Sequence, residues 1–168
     1  MFDFDKEILL FGCGNTLLGD DGFGPAVIEH LEKNHELPPS VKAMDVGTGI
    51  RGILFDLMLV EPKPRLVVVI DAVDHPGRVP GEIFEIPVEA MPAAKVSDFS
   101  LHQFPTVNML EELKNHTNME VRIVVVQIES IPEEVRPGLS APVARAVPLA
   151  CEYLMREILN RLLTKSTI

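Results

Sequence analysis

The chain has 168 residues, 46% of them apolar and only 5% aromatic, with 15 basic and 25 acidic side chains for a net charge of −10. That length suits one domain, able to bury roughly 70% of its unfolded surface without disulfide staples. The acidic balance argues against a sequence-independent nucleic-acid binder and against docking on anionic lipid. Cys13 and Cys151 form no Cys-x-x-Cys pair, so neither a zinc knuckle nor a redox pair is signalled, and both read as buried thiols in a reducing compartment. No basic leader and no apolar run near ~20 residues is present, so the expectation is a soluble, cytoplasmic protein. Its acidic helices point to a monomer.

In chain order, a first strand is expected at about Glu7 to Gly12, followed by a glycine-rich turn and a helix from Phe23 to Lys33. Phe23, Val27, Ile28 and Leu31 share one face of that helix, and Glu29, Glu32 and Lys33 face water. His35 to Ser40 reads as a turn. A second strand follows at Val41 to Val46, closed by Gly47-Thr-Gly49, and then a helix over Ile50 to Val60 that Pro62 and Pro64 terminate. Leu66 to Ile70 is a short β-branched run, the pattern of a strand buried on both faces. Asp74 to Gly77 makes a turn. Gly81 to Ile86 follows too closely for a helical crossover, so it is expected to be antiparallel. Pro87 to Phe104 shows no period and reads as a long loop. A short helix near Thr106 to Asn115 and a buried strand at Val121 to Ile128 come next. Pro132, Pro137 and Pro142 mark a loop. The last helix, Val143 to Leu163, aligns Val143, Val147, Cys151, Leu154, Ile158 and Leu162, and Pro148 should kink or restart it. Alternation of strands and helices predicts an α/β fold, a three-layer α/β/α sandwich on a mostly parallel, mixed central sheet of about five strands.

Two strands carry acids to places where chemistry is expected. Asp71 closes the third strand, and Asp20-Asp21 follows the first, so carboxylates reach the rim at which open α/β sheets bind ligands. Helix capping would account for one acid of the Asp20-Asp21 pair, not both. Gly12-x-Gly14 lacks the third glycine of a dinucleotide fingerprint, because Leu17 occupies that place. His30, His35, His75 and His116 read as surface or helix-end residues. His102, inside the long loop, is the histidine that two nearby carboxylates would turn into a ligand. Two carboxylates and an imidazole suit a borderline divalent metal such as zinc or nickel, and three protein ligands leave coordination positions open. No serine or cysteine sits in a nucleophile-elbow context.

The chain resembles the hydrogenase maturation endopeptidases over nearly its whole length. Gly12-Cys-Gly-Asn-Thr-Leu-Leu-Gly-Asp-Asp-Gly-Phe-Gly24 is similar to that family's opening signature. Asp45-Val-Gly-Thr48 matches its second glycine motif, Asp71-Ala72 its third-strand acid and Ser100-Leu-His102-Gln103 its histidine motif. Val46 stands where other members carry glycine, and Asp21 where some carry glutamate. The resemblance implies an endopeptidase that removes the C-terminal extension of a nickel-iron hydrogenase large-subunit precursor. Asp21, Asp71 and His102 are then both metal ligands and catalytic residues. The nickel arrives with the precursor, and another divalent metal could occupy the isolated protein. The segment Gly-Asp-Asp-Gly-Phe-Gly and the Phe-Pro-Thr after His102 look most like archaeal members serving deazaflavin-reducing hydrogenases. Two other functions stand beside this one: a non-catalytic nickel carrier with the same ligands, and a nucleotide-binding domain.

Overall fold

A computed structural model describes residues 4–90 and 103–165. Strand β1 (Ile8–Cys13) leads through a 3-10 turn (Gly19–Gly22) into helix α1 (Phe23–Asn34). Then come β2 (Val41–Gly47), α2 (Ile50–Leu59), β3 (Leu66–Val73), β4 (Ile83–Ile86), a 3-10 turn (Val88–Ala90), α3 (Gln103–His116), β5 (Glu120–Gln127) and α4 (Ala141–Lys165). The five strands form one sheet in the order β2-β1-β3-β5-β4. All pairings are parallel except β4 with β5, since the connection over residues 74–82 contains no crossover helix.

The three layers follow from strand periodicity. Even-numbered residues of β1 and β3 (Ile8, Leu10, Leu66, Val68, Ile70) pack with Phe23, Val27, Ile28 and Leu31 of α1 and with α4. Odd-numbered residues (Leu9, Phe11, Val67, Val69, Val73) pack with Ile53, Leu54 and Leu57 of α2 and with Leu110 and Leu113 of α3. Each large aliphatic side chain enclosed this way contributes about 1.5–3 kcal/mol, and the two cores are mainly aliphatic, with Phe11 and Phe23 as their large fully buried aromatics. Cys13 and Cys151 are both buried free thiols.

Three boundaries depart from the sequence reading. β3 continues to Val73, past the expected end at Ile70, because β5 keeps pairing with it through Val73↔Gln127. Asp71 therefore lies within the strand, opposite Val125. Helix α3 begins at Gln103, inside the segment expected to be loop. Pro105 falls in its first turn, where no backbone donor is needed. Helix α4 does not restart at Pro148 but runs through it. Pro148 and Ala144, whose carbonyl it leaves without a helix donor, are both exposed, so water can satisfy that carbonyl. The stripe expected on α4 is buried from Val143 to Ile158.

The sheet's β4 side is fastened by ion pairs. Arg122 of β5 donates to Glu85 of β4 at 2.6 and 2.7 Å and to Glu157 of α4 at 2.8 Å. The Tyr153 hydroxyl also donates to Glu85. The guanidinium beside Glu85 holds its carboxyl below the usual carboxylate range, and burial, helped by Glu85, pushes the Tyr153 hydroxyl up to about 12. A carboxyl lowered on folding contributes stability above its ordinary value of 4.5 and loses it as pH falls through the lowered value. Arg122→Met should therefore lower the unfolding free energy by about 1–3 kcal/mol at neutral pH. Urea titrations of both proteins should show that deficit shrinking below pH 4.5. A deficit that does not change with pH would contradict the assignment.

Candidate active site at the carboxyl rim

The sheet's strand order sets the location. From β1 the chain crosses through α1, on one face, to β2. From β2 it crosses through α2, on the other face, to β3. β2 and β3 flank β1, so the connections leaving the adjacent strands β1 and β3 diverge, and a crevice opens at their carboxyl ends.

Glycines bring the α1 side of this crevice close. A Cβ on Gly24 would lie 2.3 Å from the Cys13 carbonyl oxygen and 2.5 Å from that of Ile70. The first turn of α1 thus rests on the backbone of both strand ends. Gly14, at φ +136°, would place a Cβ 1.8 Å from the Asp21 carbonyl oxygen. The turn spanning residues 15–22 folds back over the exit of β1 in this way. There Asp21, half-buried, accepts a hydrogen bond on Oδ2 from the Asn15 amide at 2.8 Å. The Asn15 side-chain oxygen in turn accepts from the Leu17 amide at 3.0 Å. Neither Asp20 nor Asp21 caps α1. Its N-cap is Gly22, with no side-chain bond.

Asp71 stands at the same rim, on β3. The β1–β3 ladder ends at Gly12↔Ile70, so Asp71 is the first β3 residue beyond β1's pairing. It is buried, and Oδ1 accepts from the Ala72 amide at 2.8 Å. By strand alternation it belongs to the face covered by α2 and α3. The two predicted acids thus sit at the exits of neighbouring strands. The third predicted site residue, His102, lies outside the described residues. Among the described residues no three His, Cys, Asp or Glu side chains are grouped to hold a metal ion. The two carboxylates are hard oxygen donors, and an imidazole would complete a set suited to a divalent ion.

Asp20 has a role that sequence reasoning missed. It is 1% exposed, and its carboxylate accepts from the Ser140 amide (2.7 Å) and hydroxyl (2.9 Å) and from the Glu129 amide (2.9 Å). Glu129 and Ser140 are the two ends of the loop joining β5 to α4. Backbone bonds from the Gly19 amide to Arg136 and from the Arg136 amide to Leu17 add a second tie. Asp20 therefore clamps that loop onto the turn that carries Asp21. The described histidines make their contacts elsewhere. His116 pairs with Glu112 at 3.2 Å, His75 packs edge-on against Phe84, and His30 and His35 lie beside each other at the end of α1. Burial pushes the Cys151 thiol up to about 12, which disqualifies it as a nucleophile. Exposed Asp45, at the end of β2, accepts from the Gly47 amide at 2.9 Å.

Residues 25–157 match the family model for hydrogenase maturation proteases of the HycI type. A putative hydrogenase maturation protease of Methanocaldococcus jannaschii is 38% identical over 91% of this chain and 97% of its own length. The coenzyme F420 hydrogenase subunit delta of Methanothermobacter thermautotrophicus is also 38% identical, over 92% of this chain and 96% of its own. Among solved structures, the HycI hydrogenase maturation protease of Thermococcus kodakarensis superposes with a TM-score of 0.71 at 25% identity, covering 92% of this chain and 93% of that one. The HybD endopeptidase of Escherichia coli superposes with a TM-score of 0.69 at 26% identity over the same shares. The chain belongs to the hydrogenase maturation protease family and is a peptide-bond hydrolase.

The Asp20 clamp can be tested by stability. Asp20→Ala leaves the amides of Glu129, Ser130 and Ser140 and the Ser140 hydroxyl without their acceptor and should lower the unfolding free energy by about 3 kcal/mol or more in urea. A loss below about 1 kcal/mol would show that this carboxylate does not hold the loop.

Proposed function

We propose that this member of the hydrogenase maturation protease family removes the C-terminal extension of a nickel-iron hydrogenase large-subunit precursor after nickel insertion. Asp21, Asp71 and His102 read that nickel. The observation that carries this reading is the delivery of two carboxylates to the exits of the adjacent strands β1 and β3 on a peptidase scaffold. His102 immediately precedes Gln103, where α3 begins, and α3 packs on the sheet face to which Asp71 belongs. The nickel is part of the substrate. Three protein ligands leave it positions that the precursor's own ligands keep, so docking is a test of metal content.

Holding the loaded precursor by its metal places the scissile bond in fixed register and lowers the entropic part of the barrier. Water then attacks the carbonyl carbon, and the peptide nitrogen leaves with a proton. Two routes to an activated water are compatible with these residues. Asp21 or Asp71 takes its proton as general base, or the metal polarises the reacting groups. The similarity to the subunit delta named above, with the Gly-Asp-Asp-Gly-Phe-Gly segment, favours a precursor of a deazaflavin-reducing hydrogenase. The work is done in the cytoplasm. No described helix is long and apolar enough to cross a membrane.

The test mixes purified protein with nickel-loaded and nickel-free precursor and weighs the products. Trimming of the loaded form alone is expected. Binding of the loaded form without trimming would assign a carrier instead. Asp71→Ala and His102→Ala should each slow trimming by at least about a hundredfold. Full activity in either variant would remove that residue from the site.

A further inference from the structure

A peptidase with a folded protein as substrate needs a surface to hold it, and one helix face here has no fold-level explanation. Helix α2 turns Ile53, Leu54 and Leu57 into the core. On its outer side Phe55 is 56% exposed, Leu59 is 71% exposed and Met58 is exposed as well. Gly52, Phe55 and Leu59 fall on one side at three- and four-residue spacing. Beside them an open cleft of about 630 Å³ lies between α2, the end of β2 and Met109 of α3. Val46, Ile53, Phe55 and Met109 make much of its wall apolar, with Asp45 and Asp56 among its polar groups. Gly52 lines it too. A Cβ there would meet nothing within 4 Å, so neither packing nor backbone conformation requires glycine at this place.

We propose that the outer face of α2, with the cleft beside Gly52, is the docking surface for the large-subunit precursor, and that the cleft takes an apolar side chain of that protein. The assignment rests on the precursor being the substrate. Continuity with the active site supports it. α2 covers the face of the sheet to which Asp71 belongs. Asp45 lines the cleft and also a neighbouring depression of about 430 Å³, whose wall includes Thr16, Gly19 and Gly22 of the Asp21 turn. One surface therefore runs from the Asp21 turn past Asp45 onto α2. Helix α4 also exposes leucines, Leu149 at 56% and Leu159 at 48%, but it covers the opposite face of the sheet. Contiguous exposed apolar surface next to an active site is the usual mark of a partner-binding patch.

The test uses three full-length variants and nickel-loaded precursor. Gly52→Leu fills the cleft, Phe55→Ser with Leu59→Ser strips the face, and Leu149→Ser with Leu159→Ser is the matched control on α4. Thermal melts establish that all three are folded. The first two should raise KM for trimming and weaken precursor binding by about tenfold or more, with kcat unchanged. The α4 control should match the parent protein. Unchanged KM in both α2 variants, or an equal rise in the control, overturns the docking assignment. If one α2 variant is unfolded, the other decides the matter alone; if both are, alanine at Phe55 and Leu59 replaces them. Failure of the parent protein to bind or trim the precursor would strike the proposed function itself, so the two failures are told apart.

Discussion

Backbone-to-backbone contact at the start of α1 is the constraint on which the site depends. The helix begins against the carbonyl oxygens of Cys13 and Ile70, at a distance that leaves no room for a side chain on Gly24. Gly12 is under the same restriction, since a Cβ there would lie 2.5 Å from the Gly24 carbonyl oxygen and from Ile28. With the helix this low on the sheet, the turn before it must fold over the end of β1. That turn carries Asp21, and the strand beside it carries Asp71. Any side chain that lifted α1 would separate the carboxyl-bearing turn from the strand.

The two acids of the Asp20-Asp21 pair divide the labour of the rim. Asp21 takes part in a short local network with Asn15 and is half-buried. Asp20, one residue earlier in a 3-10 turn, points into the protein and spends its acceptors on a distant loop. A 3-10 turn advances about a third of a revolution per residue, so consecutive side chains diverge widely. Adjacent identical residues can thereby do unrelated jobs, one holding the turn and the other presented by it.

Much of this was legible in the sequence. The β-branched runs of β1, β3 and β5 and the apolar face of α1 place the sheet and its first layer, and the opening glycine motif locates the rim. The misreadings have physical causes. Pro142 looks like a loop residue, yet it stands in the first turn of a helix, where its missing donor costs nothing. Pro148 looks like a break, but its exposed position lets solvent replace the lost bond. β3 is longer than its apolar run because its neighbour β5 keeps pairing after β1 has stopped. The role of Asp20 has no local signature. Its partners are 109 and 120 residues away, and a pattern within one segment cannot announce them. The cleft beside α2 is likewise a product of three elements meeting, not of any one of them.

That reach of Asp20 has a consequence for how the protein becomes competent. The turn bearing Asp21 lies near the amino end of the chain, while the groups that lock it follow β5 and lead into α4. Closing so large a loop is entropically late, because contacts distant in sequence form only after intervening parts are in place. A nascent or partly assembled chain can build β1 and α1 and still have a loose rim. Order in the Asp21 turn is thus coupled to placement of the segment between β5 and α4, which supplies Glu129 and Ser140.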